Sequence, residues 1–179
     1  MNMVEVTLTL LKDIVTIVGV IAGFTYYVIT VRNANKAMKI QLINRNSQFG
    51  QNMEFQLVAL ELLEMKWEDF DDFLRKYDST VNQDNYAKRN LIFSSMVELG
   101  FLLKENVLDI DLVYKMADGG YSIIQMWNKF KSIVMKHREI YEDPNRYQWF
   151  EYLVNELIKE RVKHGLSSEI VNTDGYWTE

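Results

Sequence analysis

The pattern of apolar and polar positions divides the chain near its thirtieth residue. Ile14 to Val31 reads IVTIVGVIAGFTYYVITV, eighteen residues without a charge, bounded by Asp13 and Arg32. A helix of that length covers about 27 Å at roughly 1.5 Å per residue, close to the ~30 Å hydrocarbon core of a bilayer. The pattern predicts one membrane-spanning helix. Buried helices of soluble proteins rarely run this long without a charge. A cleaved signal peptide fits poorly, because Glu5 and Asp13 precede the run and no small-x-small cleavage site follows it.

Past Val31 the pattern becomes amphipathic. Residues 32–49 contain no helix breaker, so the helix is expected to continue beyond the bilayer, with Gly50 as its interruption. Helical spacing resumes with Phe55, Val58, Leu62 and Met65. A stripe of Trp67, Phe70, Leu74 and Tyr77 follows within WEDFDDFLRKY. Asp78 to Asp84 reads as a polar loop. Leu91 to Leu103 is too short to span comfortably and is expected to form the central helix of the body. Asp109 to Met116 is a short helix started by Asp109 and stopped by Asp118-Gly119-Gly120. Ile123, Met126, Phe130, Ile133, His137 and Ile140 recur at spacings of three and four, a packing seam. Asp143-Pro144 predicts the start of the last helix. Its buried stripe is Phe150, Leu153, Leu157 and Val162, and Gly165 ends it. The remainder is a polar tail, read as a frayed terminus rather than a docking segment despite Ile170, Val171, Tyr176 and Trp177.

This predicts an all-α chain: a single N-terminal transmembrane helix followed by a cytoplasmic helical bundle. The expected segments are 1–31 (N-terminal segment and span), 32–49 (basic juxtamembrane helix), 50–165 (bundle) and 166–179 (tail). One proline and eight glycines agree with a chain of few sharp turns.

Charge supplies the orientation. Residues 1–45 carry five basic and two acidic side chains, whereas the rest carries fifteen basic and twenty-three acidic. Arg32, Lys36, Lys39 and Arg45 follow the span, with no acidic residue before Glu54. Basic excess stays on the cytoplasmic side, which places the N-terminus outside and the body in the cytoplasm. Arg32, Lys36 and Lys39 share a helix face that can meet anionic headgroups, at about 1 kcal/mol per basic residue near the surface. The acidic body argues against general nucleic-acid binding.

Candidate chemistry is sparse. Without cysteine, thiolate metal sites and cysteine nucleophiles are excluded. Glu68, Asp69, Asp71 and Asp72 lack calcium-loop spacing and read as a solvated face. Glu98 is the only charge in Leu91–Leu103, either a buried polar anchor or the helix's one wet position. His137 sits on the packing seam and reads as a core histidine. His164, at a helix end, does not complete a zinc set with it. Phosphate-binding glycine loops, nucleophile elbows and zinc-protease motifs are absent. No catalytic, cofactor or metal residues are assigned. Gly19 and Gly23 form a small-x-x-x-small pair that would let two spans approach closely, although glycine is common in membrane helices.

Several stretches together resemble a family of small prokaryotic membrane-anchored helical proteins classed only as a domain of unknown function. The resemblance rests on the apolar anchor, Trp67-Glu68-Asp69-Phe70-Asp71-Asp72-Phe73, Asp109-Ile110-Asp111-Leu112, Trp127, and Trp149-Phe150-Glu151-Tyr152-Leu153. It covers most of the chain and implies a prokaryotic tethered helical domain, but no activity and no site residues.

The expected function is that of a membrane-anchored interaction protein, a scaffold or accessory subunit with a protein partner. The alternative is a sensory or regulatory protein that forms homo-oligomers through Gly19 and Gly23. An enzyme with an unrecognised site ranks third, and a ligand bound in a cleft around Glu98 and His137 would revive it.

Overall fold

The computed structural model describes the backbone of residues 3–170 and the side chains of residues 11–42 and 52–170. The described residues are all-α, with seven helices and no strand. Two compact units divide the chain, Met1–Asn44 and Arg45–Glu179.

Helix α1 runs Met3–Gln51. Its continuation past Arg32 follows the pattern, and Gly50 lies within it. The interruption falls at Asn52, whose side chain accepts from the backbone N–H of Glu54 at 2.8 Å and starts the next helix. Between Leu11 and Leu42, α1 is long and apolar enough to cross a membrane. All of residues 14–31 except Val28 are exposed. Two threonine hydroxyls in the run are satisfied within the helix. Thr16 Oγ1 donates to the carbonyl of Lys12 and Thr25 Oγ1 to that of Ile21, each at 2.8 Å.

The second unit holds α2 (Met53–Glu64), α3 (Phe70–Tyr77), α4 (Gln83–Lys104), α5 (Ile110–Met116), α6 (Tyr121–Ile140) and α7 (Gln148–Lys163). Besides Asn52 at α2, short polar side chains start three more of them. Asp69, Asn82 and Asp109 accept from backbone N–H groups of α3, α4 and α5 at 2.7, 3.0 and 2.9 Å. Gly119 and Gly120, both at positive φ, turn the chain between α5 and α6. Gly165, at φ 75°, follows the last helix.

Helices α4 and α7 form the main interface, and α6 closes the core against both α2 and α7. Phe73, Phe130, Phe150, Leu153 and Leu157 are fully or almost fully buried. Phe93 sits at the centre, edge-on to Tyr147, Phe130 and Phe150 at 5.1, 5.3 and 5.5 Å. Each such side chain stabilises the fold by about 1.5–3 kcal/mol relative to exposure.

The pattern misplaces four local features. The last helix starts at Gln148, not at Asp143-Pro144. Asp143 accepts from the N–H of Asn145 at 3.2 Å and closes a turn, and Tyr147 breaks the helical path at φ 56°. The most buried residues of α3 are Asp72 and Phe73, beside the stripe, whose Trp67, Phe70, Leu74 and Tyr77 are half-buried; Trp67 precedes the helix and packs edge-on against Phe73 at 5.2 Å. Asp72 is therefore no solvated residue: it accepts from Lys76 Nζ at 2.7 Å and the Glu68 N–H at 3.1 Å. At the helix ends, Val162 and Ile140 are exposed, and the inward face of α7 continues through Glu160. In the tail, Ile170 is buried, while Val171, Tyr176 and Trp177 lie outside the described residues.

Candidate functional site

The richest concentration of polar chemistry lies around a cavity of about 90 Å³ walled by α3, the loop after it, α4, α6 and the turn before α7. Helix α4 carries Arg89 one turn ahead of Phe93, so the arginine points inward with the apolar face. Arg89 is 8% exposed. Its Nη2 donates to the carbonyl of Tyr77 at 2.5 Å, and its Nε–H is buried without a partner. The guanidinium stacks over Phe73 at 4.7 Å and Tyr86 at 5.6 Å. Burial lowers its pKa, but arginine stays protonated at any physiological pH.

A second guanidinium lines the same cavity. Arg146 lies in the turn between α6 and α7, over the rings of Tyr141 at 5.3 Å and Tyr147 at 5.4 Å. Its Nε is likewise buried and unpartnered. That turn is held by Arg138, which donates from Nε to the Arg146 carbonyl at 2.9 Å and pairs through Nη1 with Glu151 at 2.8 Å. Among the described residues, neither Arg89 nor Arg146 forms an ion pair.

His137 and Asp78 also line the cavity. Burial, then Arg146 and Arg89, hold the His137 pKa down at about 4, so the imidazole is neutral at pH 7. Phe70 and Tyr141 contact its ring at 5.4 and 5.7 Å. Asp78 accepts from the N–H and hydroxyl of Thr80 at 2.9 and 2.8 Å, and these bonds lower its pKa. Two permanent cations therefore face one carboxylate that is already hydrogen-bonded elsewhere. Two cations against one engaged carboxylate leave the lining with an excess of positive charge, and such an arrangement favours an anion in the cavity.

The other residues singled out in the sequence lie apart from this cavity. Glu98 is half-buried beside an open apolar groove of about 680 Å³ that includes Leu91, Phe101 and Trp149. Glu98 and His137 do not share a cleft. Arg32, Lys36 and Lys39 are exposed along α1, and the Arg45 side chain lies outside the described residues. A Cβ at Gly19 or Gly23 would meet nothing within 4 Å.

Asp111, Glu160 and His164 bring three ligand atoms within 4.8 Å of one another. Lysines already neutralise the two carboxylates: Lys115 lies 2.6 Å from Asp111 and Lys163 2.6 Å from Glu160. His164 stacks on Tyr114 at 4.8 Å. Each carboxylate of the cluster thus already has a positive partner.

Arg89 and Arg146 escape a sequence reading because arginine ordinarily marks a wet surface. One signal was present: Asn85, Arg89, Ile92 and Phe93 fall on one face of α4, and all four are buried. Comparison with protein-family models, curated proteins and solved structures finds no match for this chain.

Proposed function

We propose that this protein is a membrane-anchored interaction protein whose bundle acts by binding rather than by catalysis. The observation that carries this reading is that residues 14–31 form an uncharged stretch of α1, exposed at every position but Val28. Water would penalise that surface at about 25 cal/mol per Å², and lipid removes the penalty. The basic residues Arg32, Lys36, Lys39 and Arg45 support a cytoplasmic bundle and contact with anionic headgroups. Membership of the prokaryotic tethered family suggested by the aromatic-acidic motifs belongs to the same proposal.

Purification of the full chain from its native membrane in mild detergent tests the binding role. A stoichiometric protein companion that survives washing supports it. A bare monodisperse chain contradicts it. A reporter fused to the C-terminus tests the orientation, and its appearance outside the cell would overturn the cytoplasmic assignment.

A second reading rests on the open face at Gly19 and Gly23, where α1 has room for another helix. In that reading the span self-associates and oligomeric state regulates the bundle. Replacing both glycines with leucine should then change the oligomeric state in detergent, and an unchanged state dismisses the mechanism.

A further inference from the structure

We propose that the cavity between Arg89 and Arg146 is a binding site for a phosphoryl group, either inorganic phosphate or a phosphomonoester. Both guanidiniums are held by aromatic rings rather than by carboxylates. Stacking engages the face of a guanidinium and leaves the in-plane N–H edge available for oxygen acceptors. Each side chain has a buried Nε–H without a partner, and Arg89 is more than nine-tenths buried. Desolvating two cations that line one cavity is costly unless an anion joins them. The lining offers one carboxylate, Asp78, and Thr80 engages it. The cavity is thus one negative charge short.

Size and shape narrow the ligand. About 90 Å³ admits a group the size of a few water molecules, at about 30 Å³ each in the liquid, and excludes a nucleotide. Guanidinium forks match phosphoryl oxygens through paired N–H donors. Ser79 and Tyr147, both hydroxyl-bearing residues, also line the cavity. Arg138 is a positioning residue here, since it fixes the turn that carries Arg146.

The site belongs to the bundle alone, so the inference does not depend on membrane anchoring. The test uses the full chain in detergent micelles, titrated with inorganic phosphate at constant ionic strength and followed by calorimetry. A parallel arm uses nanodiscs with or without phosphatidic acid. Saturable binding in either arm is expected, and the responding arm identifies a soluble phosphate or a headgroup as the source. Arg146→Gln should weaken that binding at least tenfold with an unchanged circular dichroism spectrum. Arg75→Gln, on the exposed side of α3, should not. Arg89→Lys keeps the charge but loses the fork and should also weaken binding. Should that variant fail to fold, Arg146→Gln decides alone. No saturable binding in either arm, or a loss below tenfold in Arg146→Gln, overturns the assignment.

Discussion

Gly100 on α4 lies directly against the backbone of Trp149 on α7, so close that a methyl group added at position 100 would overlap the Trp149 carbonyl. The two helices form the principal interface of the bundle, and glycine permits that approach. Gly100→Ala must push backbone rather than a flexible side chain. The expected cost is about 3 kcal/mol, at the upper end of ordinary overpacking, and a fall of about 10 °C in Tm. Thermal unfolding followed by circular dichroism checks this. A Tm within about 2 °C of wild type would mean that α4 and α7 can slide apart.

His137 predicts an acid-sensitive stability. Its pKa is 6.5 in the unfolded chain and about 4 in the fold, so protons bind the unfolded state preferentially. Its contribution is complete above pH 6.5, declines as the pH falls from there to about 4, and declines no further below. The carboxylate of Asp72, whose pKa the Lys76 hydrogen bond lowers from 3.8, acts below that window. His137→Gln should flatten the dependence of Tm on pH between 6.5 and 4. Parallel curves for the two proteins would show that the imidazole is freely hydrated.

The pair Arg138–Glu151 joins α6 to α7 at 2.8 Å, with the arginine 14% exposed and the glutamate 31%. Glu151→Gln should cost about 1–2 kcal/mol, below the value for a fully buried pair. A double-mutant cycle with Arg138→Met should give a coupling of about 1 kcal/mol. Coupling below about 0.3 kcal/mol would place the pair among ordinary surface contacts.

The cluster of Asp111, Glu160 and His164 predicts indifference to divalent cations. Lys115 and Lys163 already supply its positive charge at 2.6 Å. Chelation by EDTA, or addition of Zn²⁺ or Ca²⁺, should move Tm by less than about 1 °C. A saturable rise would show that the metal displaces the lysines.

Local rules made much of this fold legible. The Asp109 start of α5, the glycine pair after it and the seam from Ile123 to Ile133 each depend on a few neighbouring residues, and the structure places them as the pattern does. Asp143-Pro144 misled because a proline after an aspartate serves a turn as well as a helix start. Contacts distant in sequence, Tyr147 against Phe93 and Arg138 on the Arg146 carbonyl, accompany the turn. The arginine cavity was hidden for a related reason. Arg89 becomes a buried cation only when Phe73 and Tyr77 of α3 close over it beside its own helix's Tyr86, and the contacts with Phe73 and Tyr77 link α3 to α4. His137 was legible as a seam residue, but its two arginine neighbours were not.

Extraction of native membranes with alkaline carbonate tests the central claim most directly, because it strips peripheral proteins and leaves helices that cross the bilayer. The chain should stay in the membrane pellet. Val18→Arg combined with Ile21→Arg, which costs about 2.5–3.5 kcal/mol per charge at mid-span, should release it. Recovery of the wild-type chain in the carbonate supernatant would contradict a membrane-spanning role for Ile14–Val31.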